Sequence, residues 1–371
     1  MIEARSAGFL SVGQATAERM GRAAVGDDRL GLTLVVHGPA GSGKDRFVDD
    51  LLALTFCEEP DPSRRPCNAC RGCRDARART HADLVIGSPE AWRDQRNAGE
   101  SIVEGARRWL LAAAGAPIVA ARRVVVIEGA DRASEQIQNA LLKTLEEPTD
   151  RHVFILVADE PARLLPTIRS RSQPLRIGPV PRAELVAHLM DLRGLPADQA
   201  ETLARIANGL SGMALIYADR TDLLAWRRRL QAELLSLLER GRADRFGAVR
   251  DLLDEASRLV SPADALPASG GDEPAEAART PAALQRAGAS LIVTAWLDLS
   301  RDLLVAAAGR ADLAPSDELG GEIAILGSRV GARPLLAMIR MLERIHDGLR
   351  ESAAPRLALE TAMLAWPQLA R

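Results

Sequence analysis

The apolar residues of this chain fall into two kinds of run, and one replaces the other near the middle. In the first half, short unbroken apolar stretches at 32–36, 124–127 and 153–157 alternate with helix-forming segments such as 101–114, which Pro117 helps to end. A strand that is polar on neither face needs cover on both, which a parallel sheet flanked by helices supplies. The first half is therefore expected to be α/β. After about Ile177 the strand-like runs stop. Residues 181–219 read as short helices punctuated by Gly194, Pro196, Gly209 and Gly212. From Thr221 onward the pattern is one of long amphipathic helices. Leu223, Trp226, Leu230, Leu234 and Leu237 recur at helical spacing behind a Thr221-Asp222 cap, with Gly241 following. Residues 261–280 are rich in Pro, Gly and Ala and have no period, so a flexible loop is expected there. Helices resume over 284–308, 334–350 and 355–365. The expected division is 1–177 for an α/β domain with an insertion at 57–73, 178–222 for a small helical domain, and 223–371 for an all-α domain.

Composition narrows the picture. A chain of 371 residues suits two or three domains, and 47% apolar content is enough to give each a core. With 48 basic and 50 acidic residues the net charge is -2, so no surface-wide grip on nucleic acid is expected. Contact with DNA would be local or shared with partners. The start of the chain lacks a basic-then-apolar leader, and the longest apolar runs are too short for a membrane helix, so a cytoplasmic protein without a membrane partner is expected. Among the 48 basic residues only Lys44 and Lys143 are lysines. Lysines that survive such depletion mark positions where a compact ammonium suits better than a planar guanidinium.

All four cysteines, Cys57, Cys67, Cys70 and Cys73, fall in one short stretch. Thiols spaced C-x9-C-x2-C-x2-C can close a tetrahedral site, which suits a structural zinc with no ligand position left open. A disulfide pair is the plainer alternative, but nothing else in the chain points to an oxidising compartment. An iron–sulfur cluster is the third reading, weakened because no proline follows Cys73.

Gly38-Pro39-Ala40-Gly41-Ser42-Gly43-Lys44 follows an apolar strand and opens a helix, the context in which a G-x-x-x-x-G-K match is credible. Such glycines let backbone N–H groups converge on phosphate, and Lys44 would neutralise the outer phosphates of ATP or ADP. The next residue would ordinarily be a hydroxyl ligand for Mg2+. Here it is Asp45, whose charge opposes a polyphosphate and weakens nucleotide binding. The strand 124–127 ends in Glu128, where an acid would hold the magnesium shell, but Gly129 replaces the group that orients the attacking water. Asp131 reads as a helix cap before Ala133.

With those residues in hand the chain resembles the clamp-loader branch of the AAA+ proteins, found in the bacterial DNA polymerase III holoenzyme. Val12-Gly13-Gln14 is similar to the family's adenine-side box, the cysteine stretch sits where the family carries a zinc module, and residues 139–148 (NALLKTLEEP) are similar to its central helix over ten positions. Pro355-Arg356-Leu357-Ala358-Leu359-Glu360 resembles the last helix of its collar domain. The resemblance implies an AAA+-like P-loop domain with a zinc insertion, a small helical domain and a helical collar. Ser170-Arg171-Ser172 is similar to the family's Ser-Arg-Cys motif, which makes Arg171 an arginine finger for a neighbour's ATP. Where active relatives carry a nucleotide-sensing arginine, this chain has Gly212. Asp45, Gly129 and Gly212 together imply a stator-like subunit that does not hydrolyse ATP but completes a neighbour's site in trans. Implied partners are gamma/tau and delta subunits and, through the complex, the sliding clamp and primer–template DNA. A gamma/tau-type motor of the same fold and a free-standing nucleic-acid-binding AAA+ protein are the alternatives.

Overall fold

The three apolar runs of the first half become adjacent strands of one sheet. The structure, a computed structural model, describes residues 7–26, 32–94, 99–146, 151–260, 281–310, 319–351 and 353–369. The loop expected at 261–280, together with Glu147, Pro148 and the side chain of Lys143, lies outside what is described. By its contacts the chain divides into two compact units, Met1–Ala218 and Asp219–Arg371.

In the first unit the elements run α1 (Ala15–Gly26), β1 (Leu32–His37), α2 (Lys44–Phe56), α3 (Arg71–Arg77), β2 (Leu84–Gly87), α4 (Pro89–Asp94), α5 (Ile102–Ala113), β3 (Arg123–Ile127), α6 (Glu135–Glu146), β4 (His152–Ala158), α7 (Pro166–Arg171), β5 (Gln173–Arg176), α8 (Arg182–Arg193), α9 (Ala197–Ile206) and α10 (Ser211–Asp219). The five strands form a parallel sheet in the order β2-β3-β4-β1-β5, with Val35 opposite Leu156 and Val125 opposite Phe154. This is the α/β architecture expected, a parallel sheet with helices on both faces. Alternate residues of each strand feed opposite cores. Leu34, Val36, Val124 and Val126 pack with Phe47 and Leu51 of α2. Val35, Val125, Ile127 and Phe154 pack with Leu110 of α5 and Leu141 of α6 on the other face. Because β1 is flanked by β4 and β5, the strand order reverses beside it, and the crevice at the carboxyl ends of β1 and β3 is where open α/β sheets place their ligands.

The helix expected at 101–114 is α5, opened by a reciprocal capping box between Ser101 and Glu104. Gly194 and Gly209 end helices with φ of 63° and 76°. Gly212, by contrast, lies inside α10 rather than between helices.

The second unit is all-α as described: α11 (Thr221–Ser236), α12 (Arg242–Leu259), α13 (Pro281–Ala307), α14 (Gly320–Val330), α15 (Ala332–Glu351) and α16 (Pro355–Ala365). Trp226, Trp296 and Trp366 are buried, the last two meeting edge-on at 5.2 Å. Arg245 is buried too, and its guanidinium donates to the carbonyls of Leu237 (2.9 Å), Trp366 (2.6 Å) and Pro367 (2.8 Å). Those carbonyls close α11 and α16, so one cation binds the negative ends of two helix dipoles. The Thr221-Asp222 cap does not form. Arg220 precedes the helix without a side-chain cap, and the Asp222 carboxylate instead pairs with Arg220 at 2.8 Å.

Candidate nucleotide loop and thiolate cluster

The loop after β1 is built as its glycines require. Gly38, Gly41 and Gly43 have φ of 156°, 76° and 90°, and a Cβ on Gly38 would lie 1.9 Å from the Ile177 carbonyl oxygen. From Gly43 the chain enters α2, so Lys44 and Asp45 stand in its first turn. Lys44 is buried. Its ammonium donates to the loop's own carbonyls at Gly38 (2.8 Å) and Pro39 (2.9 Å) and pairs with Asp159, just after β4, at 2.7 Å.

The opposite side of the loop rests on α10. The Met213 N–H donates to the Gly41 carbonyl at 2.9 Å, and Ser211 Oγ donates to the Ser42 carbonyl at 3.1 Å. A Cβ on Gly212 would lie 2.9 Å from the Gly41 oxygen and 3.2 Å from the Gly43 nitrogen. Loop and helix therefore meet where an arginine side chain would need room. Beside them is a cavity of about 490 Å³ whose lining includes Val12, Gln14, Asp45, Asp49, His188 and Gly212. Burial first, then the nearby positive charge of Arg46, holds the His188 imidazole below its ordinary pKa.

Glu128 follows β3, and its carboxylate is engaged by Arg79 at 2.6 Å. Arg79 also reaches Asp49, one turn along α2 from Asp45, at 2.9 Å. Gly129 has φ of 59°, and a Cβ there would lie 2.2 Å from Arg132 Nη2. Asp131 is not the cap of α6. Buried at the end of β3, it accepts from the backbone N–H groups of Asp159 (3.2 Å) and Glu160 (3.0 Å), while Ser134 Oγ accepts from the Ile137 N–H at the helix start. A divalent ion of the kind P-loop enzymes use does not suit this set as it stands, because the acid at the end of β3 holds a guanidinium and the hydroxyl ligand is replaced by Asp45.

The segment before α1 is fixed from α2. Fully buried Asp50 accepts from the N–H groups of Leu10 (2.9 Å) and Ser11 (2.7 Å) and pairs with Arg77 at 2.8 Å. Gln14 exchanges two hydrogen bonds with the backbone of Gly178, at 2.9 and 3.2 Å. Val12 and Gln14 thus line the cavity, and Gln14 ties this segment to the chain after β5.

At the far end of α2, roughly 20 Å from its start for 13 residues, the four cysteines converge. Their sulfurs all lie within 4.8 Å of one another, and all four are free thiols. A metal bound by four thiolates at about 2.3 Å holds sulfurs a little under 4 Å apart, so the cluster fits zinc. Backbone N–H groups point at the sulfurs: Cys67 to Cys57 (3.3 Å), Cys70 to Cys67 (3.4 Å), Cys73 to Cys70 (3.3 Å) and Glu58 to Cys70 (3.4 Å). Such donors favour thiolate over thiol. Burial opposes ionisation of Cys67, yet the N–H groups of Ala69 and Cys70 bring it down to about 7, whereas burial pushes Cys73 up. Cys70 Sγ also caps α3.

Arg171 ends α7, is exposed and is not among the residues that line the cavity. Its Nη1 lies 3.5 Å from the Thr167 carbonyl, one turn back along its own helix. Sequence reasoning gave the loop, Glu128 and the cysteines but missed Arg79, Asp159 and Asp50. No local motif marks an arginine whose partners lie 30 and 49 positions away.

Residues 13–181 match the family described as "DNA polymerase III, delta subunit". The chain is 33% identical to DNA polymerase III subunit delta' of Pseudomonas aeruginosa over 50% of its length and 54% of the relative's. It is 30% identical to that of Escherichia coli over 49% and 53%. The chain thus spans about half the length of these curated relatives. It is also 26% identical to subunit gamma/tau of Mycobacterium tuberculosis over 90% of this chain and 56% of that one. A solved gamma subunit-related protein of Thermotoga maritima superposes over 94% of this chain and 97% of its own at 18% identity, with a TM-score of 0.40.

Proposed function

Starting from a first half that is delta-prime-like in sequence, we propose that this chain is the stator-like, non-hydrolysing delta-prime subunit of a DNA polymerase III clamp loader. Its partners in this reading are gamma/tau and delta subunits, ATP is hydrolysed in gamma/tau, and the sliding clamp and primer–template DNA are met through the complex. The observation that carries the reading is that each group a P-loop active site needs is already committed within the chain. Lys44, which would hold the β- and γ-phosphates, is paired with Asp159 and two carbonyls. Glu128 is paired with Arg79, residue 129 has no side chain, and Gly212 abuts the loop. Breaking any one of these arrangements has a cost, and hydrolysis would require breaking several together. The four cysteines serve as a structural zinc site that fixes α3 against the end of α2. Arg171 serves as the arginine finger in trans, for which an exposed, permanently charged planar fork is suited.

The similarity to gamma/tau over 90% of the chain favours a second reading, an ATP-hydrolysing motor of the same complex. Steady-state ATP turnover by the purified chain separates the two. The stator reading predicts no turnover above the protein-free rate, no effect of Lys44→Ala on that rate, and higher turnover by gamma/tau when this chain is added. Turnover by the chain alone that Lys44→Ala abolishes would establish the motor instead.

A further inference from the structure

We propose that Arg79 is an internal cation that takes the place of a divalent metal at the carboxyl end of β3, so that Asp49 and Glu128 do not recruit magnesium. Arg79 follows α3 with φ of 57°, and the Arg79 N–H donates to Ala76 O at 3.0 Å while the Thr80 N–H donates to Asp75 O at 2.9 Å. That pair of bonds is a Schellman closure, whose left-handed position glycine adopts without steric cost. An arginine there gains nothing for the turn, so the reason for it lies in its side chain.

That side chain spans two elements. Nε meets Asp49 Oδ1 at 2.9 Å on α2, and Nη1 meets Glu128 Oε1 at 2.6 Å beyond β3. One carboxylate from the helix that follows the nucleotide loop and one from the end of β3 flank the region where P-loop enzymes assemble a metal shell. The guanidinium neutralises one of these two charges and occupies one oxygen of each carboxylate, and its own charge repels an incoming dication. Its position is set by the thiolate cluster, because Cys70 and Cys73 open the helix that Arg79 closes.

This inference rests on reading the loop as a nucleotide-type site, but its test uses metal alone and is independent of ATP turnover. Mn2+, an oxygen-seeking paramagnetic ion, is titrated into the nucleotide-free full chain with its thiolate-bound metal retained, and free Mn2+ is read by electron paramagnetic resonance. Arg79→Gly suits the left-handed backbone and is expected to fold, which retention of the thiolate-bound metal checks. It should bind one Mn2+ about tenfold or more tightly than the native chain, the effect of removing a unit charge within about 5 Å of a dication at solvent-like screening. Adding Glu128→Gln to Arg79→Gly should return the affinity to the native level. Arg79→Gly binding no tighter than the native chain would overturn the proposal. So would a native chain that binds one Mn2+ which Glu128→Gln removes.

Discussion

Replacing Gly212 with alanine sets two effects of opposite sign against each other. Alanine is favoured over glycine within a helix by up to ~1 kcal/mol, and less near an end. Residue 212 is the second of α10. Against that gain, the new Cβ would lie 2.9 Å from Gly41 O, 3.2 Å from Gly43 N and 3.3 Å from Gly41 C, all backbone atoms of a loop whose glycines are fixed by their φ. Loop and helix would have to part, weakening the Met213-to-Gly41 and Ser211-to-Ser42 hydrogen bonds. Overpacking of this kind costs about 1–3 kcal/mol, and a hydrogen bond contributes ~1 kcal/mol. The net expectation is a loss of roughly 1–3 kcal/mol in the first unit. Amide exchange of Met213 reads it directly, because its N–H is the one that holds the loop. Exchange should quicken by about tenfold for each ~1.4 kcal/mol lost, and the urea midpoint of the first unit should fall. Slower exchange with a higher midpoint would mean that helix propensity decides at this position and that the loop is not tightly seated on α10.

Three further outcomes follow from the same geometry. Cys70→Ser takes one thiolate out of the cluster while its hydroxyl can still accept the Cys73 N–H that caps α3, so metal analysis should find about one zinc per native chain and little in the variant. Iron, or no metal after reducing purification, would contradict the zinc reading. Arg245→Met leaves the carbonyls that close α11 and α16 without their shared donor, and urea unfolding of the second unit should lose about 3 kcal/mol or more, with a loss under ~1 kcal/mol counting against the clamp. Burial, aided by Arg123 and opposed by the bond to Gly115 O, lowers the pKa of His152 below 6.5. The unfolded chain therefore binds a proton more readily, and the contribution of His152 to stability is full above 6.5 and is lost as pH falls through the folded value. Melting temperature should drop on acidification from pH 8 to 5, and His152→Gln should flatten that slope.

The central strands were legible because burial on both faces leaves continuous apolar runs, and 32–36, 124–127 and 153–157 became β1, β3 and β4 with a residue or so added. The edge strands β2 and β5 were not. Leu84, Val85 and Ile86 are only half-buried, and β5 alternates around Leu175 with Pro174 beside it, so neither carries the signature of a central strand. The glycine-rich loop and the four cysteines announced themselves because their patterns are local in sequence. The pairs that commit the loop did not, since Lys44 with Asp159 and Glu128 with Arg79 join residues brought together only by the parallel crossovers. Asp131 shows the converse: next to a helix start it reads as a cap, yet the sheet brings the Asp159 and Glu160 amides to it first.

The measurement that most directly tests the central claim, that this chain serves a neighbour's ATP site and not its own, uses Arg171→Ala in an assembly with gamma/tau subunits whose other ATP sites are disabled. A finger supplied in trans is worth ~10³-fold or more in phosphoryl transfer, because it stabilises charge that develops only in the transition state. The account predicts that the variant enters the assembly normally and that turnover at the adjoining site collapses, with Arg171→Lys restoring only part of it because an ammonium lacks the planar fork. Unchanged turnover in that assembly would contradict the account and leave Arg171 a surface cation.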